Sequence, residues 1–302
     1  MANAQILKRR IRSVSNTRQI TKAMELVSAA KMRRVVVAVE RSRAYSDATI
    51  DILRRLNSSI EATHHPYFSP PVTKAKLYIL FTSDSGLAGA YNSNVFNFAT
   101  KAFSEDHAKG LQPEVIAFGR KGAHHFSHIN DITLEGEYEK VADDPDANVF
   151  APVLEFITEG IASAQFSSVD LIYTEFRSTM NQRVTKLQLI PVSPSSDDLA
   201  DSSEQVIATP KKDSFAGTVF EFEPTAEAVL ESALRLYFES SLRRARVESA
   251  ASEHAMRMMS MNNANRNAGD LIGNLTLELN ATRQAAITQE MAEIIGGANA
   301  IT

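Results

Sequence analysis

Residues 3–58 contain neither proline nor glycine, the two residues that most often interrupt a helix. Helix-forming residues dominate this segment. Its apolar residues recur at helical spacing: Ile6, Ile20, Met24, Val27, Ala38, Tyr45 and Ile52. An uninterrupted segment of this length and pattern predicts one long helix.

The C-terminal quarter predicts a second, longer helix. It starts at Pro224-Thr225, no proline follows, and its first glycine is Gly269. A seven-residue register fits this segment. One heptad position takes Ala226, Ala233, Ser240, Val247, His254, Met261, Ala268 and Leu275, and the other takes Leu230, Tyr237, Arg244, Ala251, Met258, Asn265, Ile272 and Leu279. Heptads sustained this far predict a left-handed coiled coil, and the small and polar seam residues allow close approach of the helices.

The length of the second helix limits where it can pack. A helix from 226 to 298 is roughly 110 Å long at about 1.5 Å per residue, whereas a compact domain of about 150 residues has a radius of gyration of about 15 Å. We therefore expect the terminal segments to pair with each other and to project as a rod. The end of the longer C-terminal helix should extend beyond its partner.

The middle of the chain has the pattern of a different architecture. Three short apolar runs and one alternating segment resemble strands: Leu77–Thr82, Val115–Phe118, Val169–Tyr173 and Val184–Ile190. Helical patterns separate them, which predicts a small α/β domain with a mainly parallel sheet. Residues 192–217 are rich in Ser, Pro and Asp and predict a mobile loop. The predicted domains are 1–60 (N-terminal helix), 61–224 (α/β domain) and 225–302 (C-terminal helix).

Charge is distributed unevenly along the chain. Residues 1–60 carry 13 Lys/Arg and 4 Asp/Glu, and residues 61–224 carry 12 and 23. A basic segment suits nucleic acid or an acidic protein surface. Nucleic acid is disfavoured, because residues 1–60 have one aromatic residue, Tyr45, and no recognisable binding module.

Composition excludes several further classes. Cysteine is absent, so disulfides, thiolate catalysis and cysteine-based metal sites are excluded. No segment approaches the roughly 18 consecutive apolar residues of a membrane span, and the N-terminal residues lack a signal-peptide pattern. We expect any membrane association to go through a partner.

Three motifs suggest chemistry but have plainer interpretations. The glycine-containing turn from Ser83 to Asn92 leads from a strand into a helix, as phosphate-binding turns do. It lacks the Lys-Ser/Thr of a P-loop and the spacing of a dinucleotide fingerprint, so we interpret it as a structural turn. His124, His125 and His128 lack evident further ligands and are interpreted as surface residues. Residues 143–146 lack EF-hand spacing and are interpreted as a solvated acidic loop. We predict no catalytic site, no cofactor and no metal.

Two features of the helices indicate partners. The segment 283–298 is dense in helix formers, ends at paired glycines and has an apolar tip, which usually marks an interaction site when the chain offers no partner. The first helix carries a set of basic residues: Lys8, Arg9, Arg10, Arg12, Arg18, Lys22, Lys31, Arg33 and Arg34. About half of them fit a solvated face, and the others suit docking onto an acidic partner.

Three segments also carry a family resemblance. Residues 17–32, 82–92 and 283–298 resemble the N-terminal motif, central turn and C-terminal signature of the γ subunits of F-type ATP synthases, in the same order and spacing. The likeness covers nearly the whole chain. Ala88 stands where many members have cysteine, and the cysteine-bearing insert of the chloroplast members is missing.

The resemblance implies a fold and a set of partners. The fold is α/β: a long antiparallel coiled coil of the N- and C-terminal helices with a central Rossmann-like α/β domain. The implied function is the central rotor shaft of the synthase. The implied partners are the α and β subunits of the head, the ε subunit and the c-ring. The implied location is peripheral, on the cytoplasmic face of the bacterial plasma membrane, with catalysis on the β subunits.

The family motif also implies which residues contact those partners. Arg283, Gln284, Thr288 and Glu290 are expected to make polar contacts to the β subunits, with Met24 nearby on the paired helix. Ile294 and Ile295 are expected to form an apolar bearing. Two other classes stay open: an enzyme built on the α/β domain, for which no nucleophile–base constellation is evident, and a coiled-coil adaptor unrelated to rotation, which leaves the segment 283–298 unexplained.

Overall fold

The computed structural model describes residues 2–59, 66–129, 131–192, 223 and 225–299. Its elements, in chain order, are α1 (Ala2–Ser59), β1 (Ala75–Phe81), α2 (Tyr91–His107), β2 (Gln112–Phe118), α3 (Arg120–Phe126), β3 (Thr133–Tyr138), a 3-10 turn (Ala147–Phe150), α4 (Ala151–Ala162), β4 (Val169–Phe176), β5 (Gln182–Ile190) and α5 (Ala226–Asn299). The predicted α/β class with long terminal helices is confirmed.

The chain divides into two compact units. One consists of Met1–Ala30 and Ala255–Thr302, and the other of Lys31–His254. Helices α1 and α5 contribute residues to both units, because α1 continues to Ser59 and α5 begins at Ala226. We refer to the first as the helical unit and to the second as the sheet unit.

A five-stranded sheet with the order β3-β2-β1-β4-β5 forms the centre of the sheet unit. β3, β2, β1 and β4 are parallel, and β5 pairs antiparallel with β4 at the edge. The strand order reverses between β1 and β4, as in doubly wound folds. The central strands β1 and β4 are almost wholly buried on both faces of the sheet. Their sequences are therefore continuous apolar runs and do not alternate between apolar and polar residues.

Helices cover both faces of the sheet. On one face, α2 and α3 pack through Val95, Phe103 and Phe126 against Tyr78 and Leu80. The other face carries α4 together with the parts of α1 and α5 that belong to this unit. Side chains there include Leu53, Ile157, Leu234, Phe238 and Leu242, which pack against Leu77, Ile79 and Phe81 of β1. The sheet therefore has a separate apolar core on each face.

The structure adds one strand that the sequence pattern missed. β3 has the sequence Thr-Leu-Glu-Gly-Glu-Tyr, and its exposed and half-buried residues alternate along the edge of the sheet. It lacks the continuous apolar run of a central parallel strand, and Gly136 weakens strand propensity. The predicted edge strand at Val184–Ile190 is confirmed as part of β5. The loop predicted at 192–217 lies outside the described residues except for Val192.

The sheet unit contains a buried ion cluster. Lys76 Nζ lies 2.9 Å from Asp106 Oδ2 and 2.8 Å from Asp170 Oδ2, and all three side chains are nearly inaccessible. Tyr78 donates its hydroxyl hydrogen bond to Asp106. Burial lowers the pKa of Lys76, but the two carboxylates raise it by more, so the net pKa shift is upward. The lysine therefore stays charged and links β1 to β4 and α2.

We expect Lys76→Met to destabilise the chain by about 3 kcal/mol. Asp106 and Asp170 lose the buried cation that they share and keep only the longer, more exposed pairs with Lys109 and Lys186. Adding Asp170→Asn should recover part of that loss. The matched control is Lys101→Met, which removes an exposed 4.0 Å pair with Glu105 and should cost at most about 1 kcal/mol. Urea unfolding of the purified variants measures the difference. Equal losses for the two lysine variants would show that the cluster contributes nothing specific.

Candidate functional site

The helical unit is an antiparallel pair of helices. Leu7 of α1 packs with Leu275 and Leu279 of α5. Further along, Arg18 Nε donates to Asn265 Oδ1 at 3.2 Å and Asn262 Nδ2 donates to Glu25 Oε1 at 3.0 Å. As the residue number on α1 rises from 7 to 25, the number of its partner on α5 falls from 279 to 262, so the two helices run in opposite directions. The antiparallel coiled coil is confirmed.

The predicted heptad register of α5 describes this pairing correctly. From Met261 to Leu279, the heptad positions Met261, Asn265, Ala268, Ile272, Leu275 and Leu279 are all buried or half-buried. Most residues between them are exposed. The seam is narrow and partly polar, so it buries little of the apolar surface that the two helices carry.

Large apolar side chains remain on the outer faces of both helices. On α1 these are Ile6, Ile20, Leu26 and Val27, and on α5 they are Leu271, Leu277, Ile287, Met291, Ile294 and Ile295. We call this set the outer apolar face. The apolar pattern that predicted α1 included Ile6, Ile20 and Val27, so it marked the outer surface of the helix. The buried seam positions Thr21 and Ser28 are polar, which is why apolar periodicity could not find them.

The predicted contact residues on α5 lie at its exposed end. Arg283, Gln284, Thr288 and Glu290 are all exposed, and Thr288 Oγ1 donates to the carbonyl oxygen of Gln284 at 3.0 Å. Ile294 and Ile295 follow them, with 71% and 61% of their surface exposed. Of residues 283–295, Ala286 alone is half-buried and the rest are exposed. This end of α5 therefore extends past its partner helix, as predicted.

Met24 does not lie near that group, and the expectation that it would was wrong. Its neighbour Glu25 pairs with Asn262, which precedes Arg283 by 21 residues. At about 1.5 Å per residue, that separation is roughly 30 Å along α5. The antiparallel register brings the opposite, N-terminal end of α1 towards Leu279. Met24 itself is half-buried in the helix pair.

The predicted basic face of α1 is solvent-exposed in the helical unit. Lys8, Arg9, Arg10 and Arg12 are exposed, and Glu25 is the one acidic residue between positions 1 and 30. Hydrogen bonds from Asn262 and Lys22 lower the pKa of Glu25. Among the described residues, none of the four basic residues has an ion-pair partner, so this end of α1 presents positive charge beside the outer apolar face.

The carboxyl edge of the sheet is the second candidate site. Here the turn after β1 is held by its own side chains: Ser83 N donates to Asn92 Oδ1 at 3.0 Å, and Asn92 Nδ2 donates to Ser83 Oγ at 2.7 Å. Asp84 accepts from the backbone N–H groups of Arg120 and Lys140. The Asp84 carboxylate thus accepts hydrogen bonds from backbone N–H groups of the kind that bind phosphate in phosphate-binding turns. These contacts agree with the structural-turn interpretation.

Glycine is required beside this turn. Gly119 has a φ of 99°, and a Cβ atom there would lie 2.3 Å from the carbonyl oxygen of Thr82. That close approach lets Thr82 N donate to the carbonyl oxygen of Phe118 at 2.8 Å. The backbone at the start of the turn after β1 consequently packs directly against the backbone at the end of β2.

The crevice at the strand-order reversal is occupied by the chain itself. In doubly wound sheets, ligands bind outside the carboxyl ends of the strands at this point. Beyond the end of the β1–β4 ladder, Glu248, Ser249 and Ser252 of α5 hydrogen-bond to the backbone of Thr174 and Phe176 in β4. All three α5 side chains are buried. The position that holds a nucleotide in related architectures is therefore filled by a helix.

The acidic loop after β3 is not simply solvated, which corrects that interpretation. Asp143 Oδ2 lies 2.9 Å from His254 Nε2, Asp143 Oδ1 lies 3.4 Å from Arg246 Nη2, and Asp144 pairs with Arg243 at 2.9 Å. Burial raises the pKa of Asp143, but His254 and Arg246 lower it by more, so the net shift is downward. Asp146, the third aspartate of the loop, is exposed and forms no such ion pair with the described residues. The loop fastens the sheet edge to α5.

The histidines make local contacts. His125 stacks on Phe96 with ring centroids 4.1 Å apart, and His128 Nδ1 lies 2.7 Å from the carbonyl oxygen of His124. Within the described ranges, no group of three or more His, Asp or Glu residues is arranged to hold a metal ion. Among the described helices, none is both long and apolar enough to cross a bilayer.

This combination defines a coiled-coil protein with an inserted doubly wound domain, whose exposed features are suited to binding other proteins. A family model described as ATP synthase matches residues 3–301. The ATP synthase gamma chain of Desulforamulus reducens is 35% identical over the full length of both chains, and that of Clostridium acetobutylicum is 36% identical over 98% of this chain and 97% of its own. The chain belongs to the ATP synthase gamma-chain family.

Solved structures share the fold. A chain of the Euglena gracilis mitochondrial ATP synthase OSCP/F1/c-ring structure matches with a TM-score of 0.66 at 17% identity, covering 99% of this chain and 95% of that one. A chain of the Tetrahymena thermophila mitochondrial ATP synthase central stalk/c-ring structure matches with a TM-score of 0.59 at 23% identity, covering 81% of this chain and 99% of that one.

We expect Leu275→Ala to loosen the helical unit. Removing the buried leucine that packs on Leu7 should cost about 2 kcal/mol, which corresponds to roughly thirtyfold faster amide exchange in the neighbouring turns of α1. Leu277→Ala, which truncates an exposed leucine two positions along the same helix, is the matched control. Hydrogen exchange of the purified chain measures both. An equal effect of the two variants would contradict the assigned register.

Proposed function

We propose that this chain is the central rotor shaft of an F-type ATP synthase. It couples ion flow through a membrane-embedded ring of c subunits to the synthesis and hydrolysis of ATP on the β subunits. The outer apolar face of the helical unit is the observation that carries this proposal. Exposed apolar surface is unfavourable by roughly 25 cal/mol per Å², so a face of this length on two helices calls for surrounding protein.

The proposed partners are those that membership of the gamma-chain family implies. The α and β subunits of the head surround the helical unit, and the ε subunit and the c-ring bind the sheet unit. The chain is peripheral, attached through the c-ring on the cytoplasmic face of the bacterial plasma membrane. Exposed positive charge on the first turns of α1 supports docking against an acidic neighbouring surface.

The chain itself is not catalytic, and ATP chemistry takes place on the β subunits. Support comes from the occupied crevice: α5 fills the place where a doubly wound domain binds nucleotide. What the chain contributes is a change in the relative free energies of the β-subunit conformations. A shaft that lacks threefold symmetry contacts each β subunit differently, so turning it redistributes binding energy among them.

The exposed end of α5 provides two kinds of contact. Arg283, Gln284, Thr288 and Glu290 bind β subunits through polar contacts, which are worth roughly 1.5–3 kcal/mol each when charged and desolvated. Met24 contacts the head at a different level, roughly 30 Å away along the helix pair. Ile294 and Ile295 form an apolar bearing, because apolar contact is non-directional and permits sliding.

Purification of the native complex through a tag on this chain tests the proposal directly. Recovery of α, β, ε and c subunits in one rotary complex is the expected outcome. Recovery of the chain with other partners and without α and β subunits would instead support a non-rotary coiled-coil adaptor.

We expect Ile295→Asp to impair assembly or turnover, because a carboxylate would enter an apolar sleeve without a partner. Ile295→Leu and Ile294→Val should leave coupled synthesis nearly unchanged, since they keep the surface apolar. Ion-driven ATP synthesis by reconstituted vesicles carrying each variant is the measurement. The sliding-contact idea fails if Ile295→Asp matches wild type while the conservative changes abolish synthesis.

A further inference from the structure

On the side that faces β1, the carboxyl end of β4 is bound by helix side chains, while β5 pairs with its other side as far as Phe176. The β1–β4 ladder pairs Leu77–Leu80 with Val169–Ile172, and β4 continues to Phe176. Past the ladder, Thr174 N donates to Ser249 Oγ at 3.2 Å, and Ser252 Oγ donates to the carbonyl oxygen of Thr174 at 3.1 Å. Side chains of α5 thus continue the hydrogen bonding that β1 begins.

Phe176, two residues further, is held in the same way. Its N–H donates to Glu248 Oε2 at 3.3 Å, and its carbonyl oxygen accepts from Arg43 Nη2 at 2.6 Å. Arg43 belongs to α1, so both long helices contact this one strand. Four backbone groups of β4 are therefore bound by four side chains: Arg43, Glu248, Ser249 and Ser252. We call these four residues and their bonds the β4 joint.

A buried charge lies at the centre of the β4 joint. The Glu248 side chain has no exposed surface, and its Oε1 accepts from Arg43 Nε at 2.8 Å and from Arg244 Nε at 3.1 Å. Arg244 also lies 3.5 Å from Asp47 of α1. A buried carboxylate is tolerated only when it is paired and hydrogen-bonded, and charge-assisted bonds to guanidinium groups are short and directional. The joint consequently holds α1, α5 and β4 in one geometry.

Directional bonding matters because of the load that the proposed function places on this region. A rotor shaft must pass torque between its sheet domain and its helices. Apart from the β4 joint and the ion pairs of the loop after β3 with Arg243, Arg246 and His254, their contact is an apolar core. Apolar packing is non-directional and resists sliding weakly. Bonds from rigid helix side chains to a strand backbone oppose such sliding, because every one of them must lengthen when the helix shifts along the strand.

We propose that the β4 joint is a torque-bearing connection between the sheet domain and the two long helices. This inference rests on the proposed rotor function and adds the residues through which the turning force passes. The helix side chains fill a crevice that holds ligands in other doubly wound domains, so the same backbone groups serve here as a mechanical anchor.

The variant that tests the joint is Ser249→Ala/Ser252→Ala. It removes two of the four bonds to the β4 backbone while alanine preserves the helix. The matched control is Ser240→Ala. Ser240 is also a buried serine of α5, but its hydroxyl donates to the carbonyl oxygen of Tyr237 within the same helix. Thermal melting of each purified chain checks that both variants fold.

The measurement is the torsional stiffness of the shaft in the assembled complex. The head is fixed to a surface, a bead is attached to the exposed Lys101 position of the sheet unit through an introduced cysteine, and the complex is stalled without nucleotide. Loss of two of four bonds should lower the stiffness of the joint. The variance of the bead angle should therefore rise above that of wild type. Glu248→Gln should raise it as well, and Ser240→Ala should match wild type.

Two results overturn the inference in different ways. If the double variant and Glu248→Gln both assemble and show the angular variance of wild type, the β4 joint carries no special load and the rotor proposal stands. If the wild-type chain does not assemble into an active complex with α and β subunits, the proposed function fails and the inference fails with it.

Discussion

Helix α5 buries its two halves against different parts of the chain, and the rest of the structure depends on that division. Its first half packs on the sheet and supplies Leu234, Phe238 and Leu242 to the core. Within the described part of the chain, its second half packs against α1, through a narrow seam that ends near Leu279. Because a helix buries only one stripe on one partner helix, the outer apolar face stays exposed, and the proposed function assigns it to surrounding protein.

Residues 243–254 of α5 are fixed to the rest of the sheet unit by polar contacts. Residues 243–254 hold the loop after β3 through Arg243, Arg246 and His254, and they hold the end of β4 through the β4 joint. Buried polar groups in such a network require satisfied geometry, so they select one arrangement of helix and strand. The apolar core supplies most of the burial, while these bonds fix how the helix lies on the sheet.

Much of this architecture was predictable from residue patterns. The heptads of α5 and the absence of helix breakers in α1 are strong signals, since they persist over many turns. β3 was missed because it is a short edge strand without an apolar run. The outward direction of Ile20 and Val27 was also hidden, because polar Thr21 and Ser28 form the seam between the helices.

Contacts between residues far apart in the sequence could not be predicted from sequence patterns. The separation of Met24 from Arg283 depends on the register of the helix pair, which Arg18–Asn265 and Glu25–Asn262 establish. The binding of Thr174 and Phe176 by α5 depends on the continuation of β4 past the end of its pairing with β1. Neither feature has a local signature, because each links residues more than 70 positions apart in the sequence.

Rotation of this chain relative to the head is the central claim, and single-molecule observation tests it most directly. With α and β subunits fixed to a surface and a bead attached to the sheet unit, saturating Mg-ATP should drive continuous rotation in one direction. A bead that stays fixed while the same complexes hydrolyse ATP would contradict the account.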